Sequence, residues 1–515
     1  MKRLFSLVFV VLAVVGVKAI ELPEIFGDNM MLQQQTKAKL WGWAKSGNTI
    51  EVAPSWEQNT YKVAVGKDGK WELTVNTPAA SYEEYSINIF EFDAAATGKK
   101  NKAMPVVDRK TIQNVLVGEV WFCSGQSNME MPLGGFWNCP VEGANEAIAQ
   151  SAKYKKSVRV ATIAHDGAET PQLKVRGGWD VCEPKNASRF SACAYFFATT
   201  LADMLDIPVG VINCSWGGSC VEGWLPKEIL EKYPDGLVPF NENSYMQKMV
   251  MYNGMLYPLA GYTIKGFLWN QGETNVGYAK EYVDRFMTMT RLWRKMWRQE
   301  GDPLPMYTVE IPGYSYGDVN GTNCAEFRVA QHTIAHRLEN SGCVSTADLM
   351  YPYEAEQIHG SKKLEIGQRL AYMAATRDYN VPGIAAEAPE FDHMMKAEAN
   401  PNDIQVIAGT AVAKNDNEKG TLMKLYFTNS TDGFDRLRDI EGFEAMGADG
   451  IWHKATVWAD SDWSDPAYQG CYLKLACPEA GDIQEVRYHY NNFSVGGLHN
   501  MRGLPFVPFN TAYTL

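Results

Sequence analysis

No two cysteines in the chain stand at CxxC spacing, no run of lysines and arginines marks it, and beyond the N-terminus no apolar stretch could span a bilayer. The first absence removes support for a zinc or redox reading. The second argues against nucleic acid, whose phosphates need clustered cations. With 48 Lys and Arg against 60 Asp and Glu, the formal charge is −12, so an anionic substrate would need a local basic pocket. Histidine is scarce at eight. His332 and His336 fall four apart on an expected helix but lack the glutamate and third ligand of a HExxH metal site, and they read as helix residues. The GxSxG elbow of α/β-hydrolases is missing, as are internal repeats and low-complexity linkers.

What is there begins with an export signal. Lys2 and Arg3 precede an apolar run from Leu4 to Gly16, and Val17-Lys18-Ala19 offers small residues where a signal peptidase reads. Residues 1–19 are therefore expected to be a cleaved signal peptide, the mature protein secreted or periplasmic, with no membrane span left. Losing Lys2, Arg3 and Lys18 would take the charge from −12 to −15. Ten cysteines would remain in an oxidising compartment. Cys471/Cys477, Cys214/Cys220 and Cys324/Cys343 are close enough in sequence to pair. The alternative is that most are small buried hydrophobes.

A length of 515 residues suggests about three domains, and 46% hydrophobic with 21% charged residues is a soluble globular composition. Residues 20–108 carry short alternating runs such as Thr49-Ile50-Glu51-Val52 and Trp71-Glu72-Leu73-Thr74-Val75, separated by Gly/Asp/Lys turns, and predict a β-sandwich. Over 109–385 strands alternate with amphipathic helices: Val115 to Phe122, the helix Ser191 to Leu205, Val209 to Asn213, Lys265 to Trp269 and the helix Ala279 to Trp297. Met306 to Ile311 and the helices Ala325 to Leu338 and Lys362 to Arg377 follow. That alternation predicts an α/β fold, a parallel sheet with helices on both faces and active residues at the carboxyl ends of its strands. Over 386–515 the β pattern returns, as in Leu422 to Phe427 and Glu485 to Tyr490.

The chemistry concentrates in Gly118-Glu119-Val120-Trp121-Phe122-Cys123-Ser124-Gly125-Gln126-Ser127-Asn128-Met129. An apolar strand ends in a glycine-containing turn that presents one serine, the placement a nucleophilic hydroxyl needs if its own N–H is to meet an oxyanion. Gly-Gln-Ser-Asn-Met after a Gly-Glu-Val-Trp strand resembles the first motif of the sialate O-acetylesterases, a branch of the SGNH hydrolases. Trp216-Gly217-Gly218-Ser219, with Glu222 and Trp224 beyond it, resembles their second block. Lys265 to Asn275, reading KGFLWNQGETN, resembles the third, and Ile358-His359-Gly360-Ser361-Lys362-Lys363 running into Gly367-Gln368-Arg369-Leu370 the last. The closing Gly503-Leu504-Pro505-Phe506-Val507-Pro508-Phe509 also matches, so the likeness covers nearly the whole mature chain.

The resemblance implies an SGNH-type, flavodoxin-like sheet and a serine esterase that removes O-acetyl groups from carbohydrate, with 9-O-acetylated sialic acid as the family's substrate and acetylated xylan or another glycan as the neighbouring one. It implies no cofactor and no metal. Ser127 would be the nucleophile and His359 its base; the N–H groups of Ser127 and of Gly218 (or Gly217) and the side-chain amide of Asn275 would form the oxyanion hole. Glu356, three residues before the histidine, is spaced to orient it, with Asp348 and Glu354 as rivals and an unassisted Ser–His dyad as a further option. The family's usual proline after the histidine is replaced by Gly360. A reading of another class, a glycan-binding protein on an inert scaffold, stays as the alternative; loss of any of Ser127, Gly218, Asn275 or His359 would favour it, and all four are intact. The partner is then an O-acetylated sugar, and the sequence gives no oligomeric state.

Overall fold

In the computed structural model of the chain, the apolar run at Val115 to Phe122 is the middle of one 20-residue strand, β1 (Val106–Gly125), which crosses residue 108 without a break. The structure describes residues 19–95, 104–237, 247–297, 303–397, 406–407, 410–411, 422–435, 437, 439–461, 471–513 and 515; the expected signal segment lies outside them, apart from Ala19. The first half of β1 pairs antiparallel with Ser81–Phe92, which pairs with Thr49–Pro54, and Met31–Gln33 joins the same sheet in parallel. Lys37–Trp43 and Lys70–Asn76 form a second, two-stranded layer, and alternate residues of both layers (Leu40, Val75, Ile50, Ile87) share one apolar core.

The second half of β1 is the centre of the α/β unit. With β2 (Val158–Ile163), β3 (Gly177–Val181), β4 (Val209–Ser215), β5 (Gly266–Asn270), β6 (Met306–Val309) and β7 (Ser341–Val344), the strand order is β7-β6-β5-β1-β4-β2-β3. All pairings are parallel except that of edge strand β3 with β2. Both faces are covered, which is why β1 reads as a continuous apolar run. Val120 and Phe122 point toward the helices α3 (Ala279–Trp297) and α4 (Asn323–Arg337). Trp121 and Cys123 point the other way, toward α2 (Ala192–Leu205) and α5 (Leu364–Asp378). Strands β2 to β4 lie on one side of β1 and β5 to β7 on the other, so its carboxyl end is the topological switch point where such sheets bind ligands.

Two further four-stranded sheets follow. Phe391–Lys396, Leu422–Phe427, Cys471–Ala476 and Thr456–Ser461 make one; Trp452–Lys454, Phe443–Met446, Glu485–Tyr488 and Phe509–Asn510 make the other. A separate apolar core, including Leu425, Phe443, Leu473, Val486 and Phe506, lies with them. None of the three cysteine pairs suggested by spacing is bridged; Cys214, Cys220 and Cys324 are buried thiols. No helix among the described residues is long and apolar enough to cross a membrane.

Candidate active site

Register brings three of the matched blocks to one level of the sheet. Gly125 of β1 pairs with Ser215 of β4 on one side and Asn270 of β5 on the other, so Ser127, the Trp216–Ser219 turn and the Gln271–Asn275 loop all leave the sheet together. Gly125 has to be glycine: at φ +138° its backbone lies against Asn270, whose carbonyl oxygen would be 2.1 Å from a Cβ. Gln126 N–H donates to that carbonyl (3.0 Å), and Ser127 then opens a single helical turn, α1 (Ser127–Glu130). Its N–H points out of that turn and meets no acceptor among the described residues.

The second block folds over the serine. A Cβ built on Gly217 would lie 3.1 Å from Glu130 Oε2 and 3.3 Å from Ser127 Cβ, so any larger residue would press on both side chains. Gly217 N–H donates to Glu130 Oε2, which occupies it. Gly218, at φ +75°, has its carbonyl held by Thr274 Oγ1 (3.0 Å), while its N–H has no acceptor among the described residues. Between the two glycines left open by the sequence, the donor with a vacant N–H is therefore Gly218.

Asn275 is 1% exposed and is bonded into the surrounding loops. Its Oδ1 accepts from Val221 N–H (3.0 Å) and Gln271 Nε2 (2.8 Å), and one hydrogen of its amide goes to Glu222 Oε2 (3.1 Å). Glu222 is itself buried; burial pushes its carboxyl up, and Lys248, Asn275 and Arg285 together hold it below the usual carboxylate value. Asn275 thus keeps one N–H for an oxyanion.

His359 arrives on the long connection after β7. Asn128, the residue after the nucleophile, donates through Nδ2 to the carbonyl of Ile358, the residue before the histidine (3.1 Å). The same Nδ2 donates to Glu273 Oε1 (2.5 Å), and Asn128 Oδ1 accepts from Lys363 Nζ (2.6 Å). One buried carboxamide so ties the serine turn, the third block and the histidine loop together. Burial pushes the Glu273 carboxyl up and the Lys363 ammonium down. Burial, with the Lys363 charge adding to it, also pulls the His359 imidazole down to about 4, so the ring is a neutral base at ordinary pH.

The expected orienting acid does not sit on the imidazole. Glu356 is exposed, and no hydrogen bond or ion pair joins it to His359. Pro352–Glu354 is one 3-10 turn, after which Glu356 faces solvent while the next side chain, Gln357, turns inward. Gln357 Oε1 accepts from His359 N–H (3.1 Å), and its Nε2 donates to Cys139 Sγ (3.3 Å). Cys139 Sγ lies 4.0 Å from His359 Nδ1, and Phe136 packs edge-on to the ring at 5.3 Å. The two rivals have other duties. Asp348 takes both terminal nitrogens of Arg369 (2.8 and 2.7 Å) and His499 Nε2 (3.1 Å), which hold its carboxyl well below the usual range against its burial. Glu354 accepts from Tyr351 N–H (2.8 Å) and Ser361 N–H (3.1 Å), bracing the loop across the histidine.

Asn128, Glu273 and Lys363 lie inside the matched blocks and Glu130 just beyond the first, and their polar character beside those motifs was the signal for them. Phe136 and Cys139 lie between blocks and left none. His332 and His336 are paired with carboxylates: His332 meets Glu310 (2.8 Å) and Glu390 (3.3 Å), and His336 meets Glu390 (2.6 Å). Among the described residues no cluster of His, Cys, Asp and Glu has the arrangement of a metal site.

The family described as carbohydrate esterase, sialic acid-specific acetylesterase, matches residues 117–376, half of the chain. The human sialate O-acetylesterase is 28% identical over 285 residues, 52% of this chain and 51% of that protein; the chain thus spans about half the length of this relative. The mouse sialate O-acetylesterase is 26% identical over 418 residues, covering 70% of this chain and 74% of that one. A crystal structure of a carbohydrate acetylesterase from Xanthomonas citri superposes with a TM-score of 0.78 at 25% identity, over 96% of this chain and 99% of the other. The chain belongs to the carbohydrate esterase family of sialic acid-specific acetylesterases.

Proposed function

We propose that the protein is a serine esterase that releases acetate from O-acetylated carbohydrate, with 9-O-acetylated sialic acid as its substrate. The observation that carries this is that Ser127 stands at the carboxyl end of the central strand with two vacant backbone N–H groups, its own and that of Gly218, while the loop of the neutral His359 is bonded to Asn128, the next residue. Ser127 Oγ attacks the acetyl carbonyl as His359 takes its proton. The carbonyl oxygen becomes an oxyanion that Ser127 N–H, Gly218 N–H and the remaining Asn275 N–H stabilise, each such donor being worth about 3 kcal/mol. The C–O bond to the sugar then breaks, the imidazolium returns the proton to the sugar hydroxyl, and acetyl-Ser127 remains. Water repeats the sequence with His359 as its base, and acetate leaves.

Burial keeps the imidazole neutral at rest, the form that can accept the serine proton. The composition of residues 2–19 supports export of the mature protein, which N-terminal sequencing of the protein recovered outside the cytoplasm tests. The substrate is tested by acetate release from 9-O-acetylated sialic acid beside acetylated xylan. Release from the first, lost in Ser127→Ala, is the expected result. Release from xylan alone would keep the nucleophile and replace the sugar.

A further inference from the structure

The two most exposed aromatic side chains among the described residues stand on the turn that touches His359 and on the loop that carries it. Trp137 is 90% exposed and Tyr353 80%. Solvent-facing rings of this size forgo the free energy of burial, and both are held firmly in place. Trp137 and Asn138 form the tip of a tight turn closed by paired backbone bonds between Phe136 and Cys139 (3.0 Å each), with Asn138 at φ +57°. The base of that turn is pinned to the body by Leu133 N–H on Phe190 O (2.7 Å) and Gly134 N–H on Ser188 O (2.9 Å). Its two closing residues are the ones that touch the imidazole, Phe136 by its ring and Cys139 by its sulfur.

Tyr353 stands on the histidine's own loop. One face stacks on Tyr351 at 5.1 Å and 8°, which leaves the other for solvent. Tyr351 is fixed in turn by Glu142 Oε2 (2.9 Å) and by Lys362, whose ammonium sits 4.2 Å from its ring centre. Glu142 N–H donates to Ser361 O (2.9 Å), so the Trp137 segment and the Tyr353 loop form one braced rim.

We infer that Trp137 and Tyr353 are a sugar-stacking subsite at the rim of the catalytic centre, where they take a second pyranose ring of an oligosaccharide whose neighbouring ring carries the acetyl group. The apolar C–H face of a pyranose needs a rigid aromatic face that is already free of other contacts, and rings mounted on pinned turns cost little ordering on binding. This deepens the proposed carbohydrate esterase reading and rests on it: the substrate is an acetylated chain, and a free acetylated monosaccharide is the poorer one.

The test uses the full chain carrying Ser127→Ala, titrated calorimetrically with 9-O-acetylated sialyllactose and with free 9-O-acetylated sialic acid, and in a second arm with acetylated xylotriose against acetylated xylose. Adding Trp137→Ala or Tyr353→Ala is expected to weaken oligosaccharide binding about tenfold, with Trp137→Tyr recovering part of the loss. In the active enzyme the ratio of kcat/KM for the oligosaccharide to that for p-nitrophenyl acetate falls by a similar factor, through KM. Equal oligosaccharide affinity with and without the two rings would overturn the subsite. So would loss of self-association in place of sugar affinity, measured by sedimentation velocity, since it would assign the rings to a second copy of the chain. An unmutated enzyme that cleaves p-nitrophenyl acetate but no sugar ester would sink the carbohydrate-substrate reading separately, and the titrations would still decide the subsite.

Discussion

Replacing Asn128 should damage both the fold around the site and the reaction, in a way that separates by pH. Its carboxamide hydrogen-bonds two buried ionisable groups, Glu273 and Lys363, and holds the Ile358 carbonyl beside His359. Asn128→Ala removes all three bonds. Stripping a partner from a buried charge costs about 3–5 kcal/mol. Both groups can shed part of that by becoming neutral, because burial already pushes each that way, which leaves about 3 kcal/mol. At roughly 2–4 °C per kcal/mol, melting should fall by about 6–12 °C in a thermal-shift assay. The histidine loop loses a tether at the same time, and a displacement of about 1 Å is enough to lower kcat by about 10²-fold.

Asn128→Asp is the sharper probe. It keeps the shape and the acceptor for Lys363, but sets a second carboxyl 2.5 Å from Glu273. The two must then share one proton, so the pair's folded pKa rises above the ordinary carboxylate value. A raised folded pKa stabilises the protein below the unfolded value of about 4, and that contribution is lost as pH rises through the raised one. Melting temperature and kcat of Asn128→Asp should both improve, relative to the unmutated protein, from pH 8 to pH 5. Wild-type kcat and melting in Asn128→Ala, or an Asn128→Asp deficit that stays flat across that range, would refute the reasoning.

Three further outcomes follow from the same geometry. With the His359 imidazole pulled down to about 4, the acid limb of kcat should break near that pH, and a break near 6.5 would mean the ring is solvated or paired with a carboxylate. Glu356→Gln should change kcat less than about twofold, since the side chain faces solvent away from the imidazole; a loss of 10²-fold or more would restore it as the orienting acid. Glu390→Gln should destabilise the protein most between about pH 4.5 and 6.5, where Glu390 is charged and its partners His332 and His336, whose folded pKa values are raised, are protonated. That deficit should close as pH rises through the histidines' folded values, and a deficit that grows with pH in denaturant titrations would contradict the pairing.

Much of the α/β unit was legible because its strands are buried on both faces and so read as short apolar runs, while α3 buries one stripe that includes Tyr282, Phe286, Met289 and Trp293. The full length of β1 was not legible. Its first half, from Val106 to Gln113, is half-exposed and polar and resembles the strands before it, so nothing local announces that one strand serves two sheets. Edge strand β3, Gly177–Val181, carries two glycines and little apolar surface, too weak a pattern to read. In the site, Ser127, Gly218, Asn275 and His359 were visible as motif residues. The surroundings of His359 were not, because three-residue spacing to a carboxylate says nothing about which way a 3-10 turn will point it. Gln357, Cys139 and Phe136 took the places around the ring through contacts more than 200 residues apart in the case of the cysteine.

The account turns on Ser127 as a covalent nucleophile, and acid-quenched mass spectrometry during turnover of an acetyl ester tests that most directly. The peptide containing Ser127 should carry one added acetyl group. Ser127→Ala should carry none and release acetate at least about 10³-fold more slowly. An unmodified Ser127 peptide together with near-wild-type acetate release from Ser127→Ala would contradict the account.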